Sequence, residues 1–162
     1  MTINWLLIGC SVAVIACAMS AGLFYTFSDF VLRSMHLAKT AAGVQVMQNI
    51  NREIMRSGSI YLLWGTVVLS SALGIFAAFT AAASAAIPTA VGGLLIFAGV
   101  LLVTFRFNVP MNVRLGKLAF AESPAANYWP EYVLRWNRWN WVRAWTSAGA
   151  SVSFLVACLM LA

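Results

Sequence analysis

Ten basic and four acidic side chains are all the charge that this chain carries. Every one of them lies within residues 29–56 or 106–143. Three uncharged stretches remain, at residues 1–28, 57–105 and 144–162. A helix rises about 1.5 Å per residue, so crossing about 30 Å of hydrocarbon takes roughly 20 apolar residues. The first stretch is long enough for one crossing, the second for two, and the third just enough for one more. Four spans, at about residues 5–28, 58–80, 87–106 and 141–161, put both charged connections on one side and both termini on the other. The expected fold is all-α, a single four-helix transmembrane bundle over residues 1–162.

Composition supports this and excludes other classes. A chain that is 62% hydrophobic and 9% charged lacks the polar surface to cover a soluble domain. Its net charge of +6 would suggest nucleic acid if it were spread evenly. Instead Arg33, Lys39, Arg52 and Arg56 fall in the first connection, and Arg106, Arg114, Lys117, Arg135, Arg138 and Arg143 lie in or beside the third. Positive residues are retained on the cytoplasmic side, which orients both long connections inward. The basic balance is thus a topology signal, reinforced by contact with anionic lipid. The expected location is the cell membrane, as a multi-pass protein, with the bacterial inner membrane the best fit.

The N-terminus contains two cleavage-like patterns, Leu7-Ile8-Gly9-Cys10 and Ala16-Cys17-Ala18. No positive charge precedes them and the apolar run continues past both, so the segment reads as a retained first span. Cys10, Cys17 and Cys158 form no Cys-x-x-Cys pair and read as small buried hydrophobes.

The first helix is expected to continue past the membrane to about Leu37. Residues 40–56 have helical periodicity, with Val44, Met47, Asn51, Ile54 and Met55 on one face. A short external turn at residues 81–86 precedes Pro88, which suits a first helical turn. The third span is expected to end near Phe105, because Pro110 removes a backbone donor. Residues 108–138 then form the longest connection, centred on Ser123-Pro124. Trp129, Trp136, Trp139, Trp141 and Trp145 follow as an aromatic belt at the headgroup level. Small residues four apart (Ser70 and Gly74, Ala144 and Ala148, Gly149 and Ser153) permit close helix contact and homo-oligomerisation.

Four groupings carry the candidate chemistry. Tyr25, Asp29, Arg33 and His36 share one helical stripe. There Asp29 or His36 would accept a proton, the alternative being an ion pair that ends the span. Gln48 and Asn51 share a face. Asn108 and Asn112 flank Pro110, whose broken turn frees carbonyls for amide side chains. Trp136, Asn140 and Arg143 form a last stripe. All four map to one depth on one side. Amides and one inward arginine among aromatics suit a planar, hydrophobic small molecule carrying oxygen or developing negative charge, and a structural polar cluster is the competing reading. No phosphate-binding glycine loop or metal-ligand spacing is present, and the single histidine excludes bis-histidine haem ligation within one chain.

The segments Phe27-Ser28-Asp29-Phe30-Val31-Leu32-Arg33, Met47-Gln48-Asn49-Ile50-Asn51, Asn108-Val109-Pro110-Met111-Asn112 and Trp139-Asn140-Trp141-Val142-Arg143 resemble the anthrone oxygenase-like family of small four-span membrane proteins. The resemblance implies oxidation of a polycyclic phenolic substrate by molecular oxygen with no cofactor. It would place Gln48, Asn51, Asn108, Asn112, Asn140 and Arg143 around that substrate. One departure stands out: Trp141 occupies a position where many members carry histidine. That favours, as the alternative, a non-catalytic assembly subunit or small-molecule binding module.

Overall fold

The computed structural model describes residues 4–80 and 84–162, and all of its regular structure is helical. The elements are α1 (Trp5–Leu37), α2 (Thr40–Glu53), α3 (Gly58–Thr80), α4 (Ala86–Gly116) and α5 (Ser123–Leu161). Among the described residues α1, α3, α4 and α5 are long and apolar enough to cross a membrane, so this is a multi-pass membrane protein. The turn expected at residues 81–86 lies partly outside the described residues; its last part, at 84–85, is a turn that leads into α4.

Local chemistry sets the helix starts. The Asn4 side-chain oxygen accepts the Leu7 N–H at 3.2 Å and caps α1. Pro88 sits in the first turn of α4 and Pro124 in the first turn of α5, where a missing N–H has no intrahelical role.

Two boundaries differ from expectation. The chain does not break at Pro110: α4 runs through it to Gly116. Immediately before the proline the helix widens into π turns at Phe97–Leu102 and Thr104–Asn108, and a widened ladder can absorb one lost backbone bond without ending the helix. The long connection expected at 108–138 therefore shrinks to residues 117–122, and Ser123-Pro124 opens a helix instead of centring a loop.

The four long helices alternate in direction. They pack in a ring, α1 on α3, α3 on α4, α4 on α5 and α5 back on α1. Close approach of α3 to α4 depends on glycine. A Cβ on Gly93 would lie 2.7 Å from the Gly74 Cα and 2.7 Å from the Ser70 carbonyl oxygen, both of them backbone atoms that cannot step aside. Gly93→Val should therefore push α3 and α4 apart and lower stability by about 2 kcal/mol, read as a drop in the thermal midpoint in detergent.

With 33 and 39 residues, α1 and α5 span roughly 50 and 58 Å, well beyond the hydrocarbon thickness. Their excess length projects on the charged side. There, with α2 and the end of α4, it buries a second apolar core of Leu32, Met35, Val44, Met47, Leu115 and Trp129. Gly43 lets α2 dock, since a Cβ there would meet the Met35 carbonyl oxygen at 2.5 Å. The first core, around Cys10, Cys17, Phe24, Ile96, Val100, Ala144 and Phe154, fills the membrane-spanning part. All three cysteines are free thiols.

Candidate functional site

Buried side chains form two apolar cores: on α1 one reaches Phe24 and the other begins at Leu32, on α5 one ends at Trp136 and the other begins at Ala144, and on α4 one reaches Val100 and the other holds Leu115, with partly buried Phe27, Val31, Leu101, Met111 and Trp141 packed at their edges. Polar side chains fill the gap: Ser28, Thr104, Asn108, Asn112, Asn140 and Arg143. This layer lies where the π turns of α1 (Phe27–Val31) and α4 (Thr104–Asn108) face α5. A π turn shifts the register of the ladder and is a common device at functional sites. Here it accompanies a backbone carbonyl, that of Phe24, accepting a side chain from another helix.

Asn140, fully buried, is the hub. Its Nδ2 donates to the Phe24 carbonyl at 2.7 Å and to Ser28 Oγ at 2.6 Å, and its Oδ1 accepts from an Arg143 Nη2–H. The other terminal nitrogen of Arg143 donates to Thr104 Oγ1 at 3.3 Å. Its guanidinium carbon lies 4.4 Å from the Phe24 ring centroid and 5.3 Å from that of Trp136. At 7% exposure the guanidinium is cut off from water, yet it has no acidic partner among the described residues. The ion pair found there joins Arg135 to Glu131 on the exposed side of α5. A buried cation held only by neutral groups is costly unless something else balances it.

Above Arg143 on the same stripe of α5, Trp136, Tyr132 and Trp129 form a column of near-parallel rings, with centroids 6.2 and 5.6 Å apart. Tyr132 is fully buried and donates its hydroxyl to Asn112 Oδ1 at 2.8 Å. Asn51 is a further neighbour of that hydroxyl. Asn108 Nδ2 donates to the Trp136 carbonyl at 3.2 Å. Several polar atoms of this layer are buried without a hydrogen bond: Arg143 Nε, Trp136 Nε1, Asn51 Nδ2 and Asn108 Oδ1. Each such atom costs about 1–3 kcal/mol, so several at one level mark a place suited to a polar ligand or water.

Asn51, Asn108, Asn112, Trp136, Asn140 and Arg143 thus stand together in this layer. Gln48 does not point into it: its Nε2 donates to the Leu115 and Leu118 carbonyls at 2.9 and 2.8 Å, tying α2 to the end of α4. Asp29 and His36 are exposed and make no hydrogen bond or ion pair among the described residues. His36 lines a separate groove between α1 and α5. The tryptophans divide. Trp129 and Trp136 belong to the second core, Trp139 stacks on Phe107 at 3.6 Å, and Trp145 is exposed. Ser28, Thr104 and Tyr132 are members of the layer that sequence reasoning missed. Tyr132 was recoverable from the 3-4-4-3 spacing of Trp129, Tyr132, Trp136, Asn140 and Arg143, but only once residues 123–140 are read as helix.

The family model for anthrone oxygenase matches residues 52–153, which takes in the layer residues of α4 and α5 and leaves out α1 and nearly all of α2. No curated protein and no solved structure gives a match. With well over half of its length matched, the chain belongs to the anthrone oxygenase family.

Proposed function

We propose that this protein is a membrane oxygenase that takes a flat, hydrophobic phenolic molecule from the bilayer and oxidises it with molecular oxygen in the polar layer. The observation that carries the reading is Arg143, a buried guanidinium clamped by neutral partners and aromatic rings. Loss of a proton from a methylene conjugated to a ketone leaves negative charge on the ketone oxygen. Fixed donors in a site shielded from water stabilise such charge far more than water does. Arg143 Nε and Trp136 Nε1 are the donors left over for that oxygen, and Asn108 Oδ1 is an acceptor left over for a phenolic hydroxyl. Asn51, Asn112 and Tyr132 close the layer on the charged side.

Oxygen then takes electrons from the carbanion. Overall a CH₂ group and O₂ become a C=O group and water, which balances without another reductant. Asp29 and His36 stand outside the layer, so in this reading they receive the proton at the water-facing mouth and not from the substrate carbon directly. Oxygen uptake by the purified protein with a model anthrone tests the function. A rate above the spontaneous reaction is expected, and a rate equal to it would refute the proposal.

A binding module is the second reading. It is favoured by one observation: no carboxylate or imidazole is among the buried polar residues described. It predicts tight binding of the same phenolic molecule with no oxygen uptake.

For orientation, the location of every Lys and Arg at one end of the bundle supports a cytoplasmic charged end and external termini. Reporter fusions at either terminus should be active outside and silent inside; the reverse would overturn the orientation.

A further inference from the structure

Between α1 and α5, on the bundle's flank, runs a groove of about 550 Å³, inside the range of about 300–1,000 Å³ that small-molecule sites occupy. Val133, Leu134 and the Trp141 ring form its apolar walls. The antiparallel register of the two helices fixes its depth. Asn137, in the groove, donates to the Ser28 carbonyl at 3.3 Å, and the Trp141 ring meets that of Tyr25 edge-on at 5.2 Å. The inner end of the groove is therefore level with residues 25–28 of α1, where that helix leaves its uncharged stretch. A hydrophobic phenol joins an apolar ring to a polar hydroxyl and collects at this same depth, as tyrosine and tryptophan side chains do.

At that level Asn137 and Ser28 separate the groove from the polar layer. Asn137 faces the groove, while its partner Ser28 is buried and accepts the Asn140 amide on its hydroxyl at 2.6 Å. Asn137 is weakly held in this position. Its bond to the Ser28 carbonyl is at the long end for an N–H donor, and its Oδ1 is buried with no hydrogen bond. Turning the amide outward gives up one long bond and returns a partner to the stranded oxygen, so the movement costs little. The neighbouring seam at this level, α4 against α5, is shut by the stack of Phe107 on Trp139.

Resting on the reading of the polar layer as a phenol's destination, we propose that this groove is the lateral entrance through which a hydrophobic phenol passes from the bilayer to that layer. The ring lies against Trp141 and Leu134, and the hydroxyl donates to Asn137 Oδ1 as that side chain turns outward. Asn137 is the latch: bonded to α1 it closes the layer, and turned outward it admits the ligand.

Photolabelling of the full chain in lipid vesicles tests this without relying on turnover. The probe is 4-hydroxybenzophenone, a hydrophobic phenol that inserts into nearby C–H bonds on irradiation. Peptide mass spectrometry should find saturable adducts on the groove walls Val133 and Leu134 and on the layer segment of α4 between Asn108 and Asn112. Val133→Trp fills the groove, and Leu134→Trp does so from a side chain exposed enough to tolerate the change. Both should lower the two sets of adducts, and should lower kcat/KM for anthrone oxidation about fivefold with kcat unchanged. Leu94→Trp, in a separate apolar groove between α3 and α4, should alter neither. Asn137→Ala removes the latch and should raise the α4 adducts. Three labelling results would overturn the proposal: α4 adducts that persist when the groove is filled, adducts that do not saturate and fall equally on the α3–α4 groove, or α4 adducts that decline in Asn137→Ala. The expected labelling without oxygen uptake above the spontaneous rate would uphold the entrance and refute the oxygenase reading. Oxygen uptake that neither tryptophan in the groove alters would refute the entrance and leave the oxygenase reading standing.

Discussion

Arg143→Met should give a folded four-helix protein whose oxygen uptake with an anthrone-type substrate is lower by roughly a hundredfold or more. The stability half of this expectation comes from two opposing terms. An arginine inside a membrane helix costs about 3 kcal/mol, and methionine removes that cost while filling much of the same space. The same change strands Asn140 Oδ1 and Thr104 Oγ1, which now accept from the guanidinium, at about 1–3 kcal/mol. The terms nearly cancel, so the thermal midpoint should move little. The activity half has no such compensation, because the guanidinium is the one formal charge among the layer residues named above. Arg143→Lys sharpens the test. A lysine keeps the charge but cannot reach Asn140 and Thr104 with one fork while presenting a third nitrogen to a ligand. Its rate should lie much closer to the methionine variant than to wild type. If all three proteins consume oxygen alike, Arg143 takes no part in the reaction.

The membrane-spanning fold was legible because charge is excluded from long stretches, and hydrocarbon enforces that exclusion more strictly than any propensity does. The depth of the site was legible for the same reason: Asn108, Asn140 and Arg143 sit where uncharged stretches give way to charged ones. Two local rules misled. A proline after an apolar run reads as a stop, yet α4 absorbs Pro110 by widening into π turns, a response with no sequence signature at this level. A tryptophan-rich, charge-bearing stretch reads as an interfacial loop and belt. Here α2 covers one face of it, so Trp129 and Trp136 become core. Asp29 and His36 were attractive as titratable groups on one stripe, but a stripe fixes only mutual alignment. Ser28, next to Asp29, is the residue that faces Asn140, and a rotation of about 100° per residue leaves the carboxylate outside. Tyr132 was hidden by the loop reading of its segment, since a stripe exists only on a helix.

Asn140→Ala should be the most destabilising single change in the polar layer, at about 3 kcal/mol, because it deprives a buried guanidinium of its acceptor as well as breaking two neutral bonds. In an Arg143→Met background the same alanine removes only the neutral bonds, so its cost should fall to about 1 kcal/mol. A coupling of about 2 kcal/mol between the two positions follows, measurable as a double-mutant cycle in detergent. Additive effects would mean that Asn140 serves the Phe24 carbonyl and Ser28 alone and that the guanidinium is indifferent to it. Asn140→Asp separates stability from chemistry. A carboxylate one helical turn from Arg143 would satisfy its charge and restore much of what alanine loses. The cation would then no longer be available to a developing substrate anion, so oxygen uptake should stay low although the protein is stable. A variant that is both stable and fully active would show that the unpaired charge of Arg143 is not what the layer contributes to the reaction.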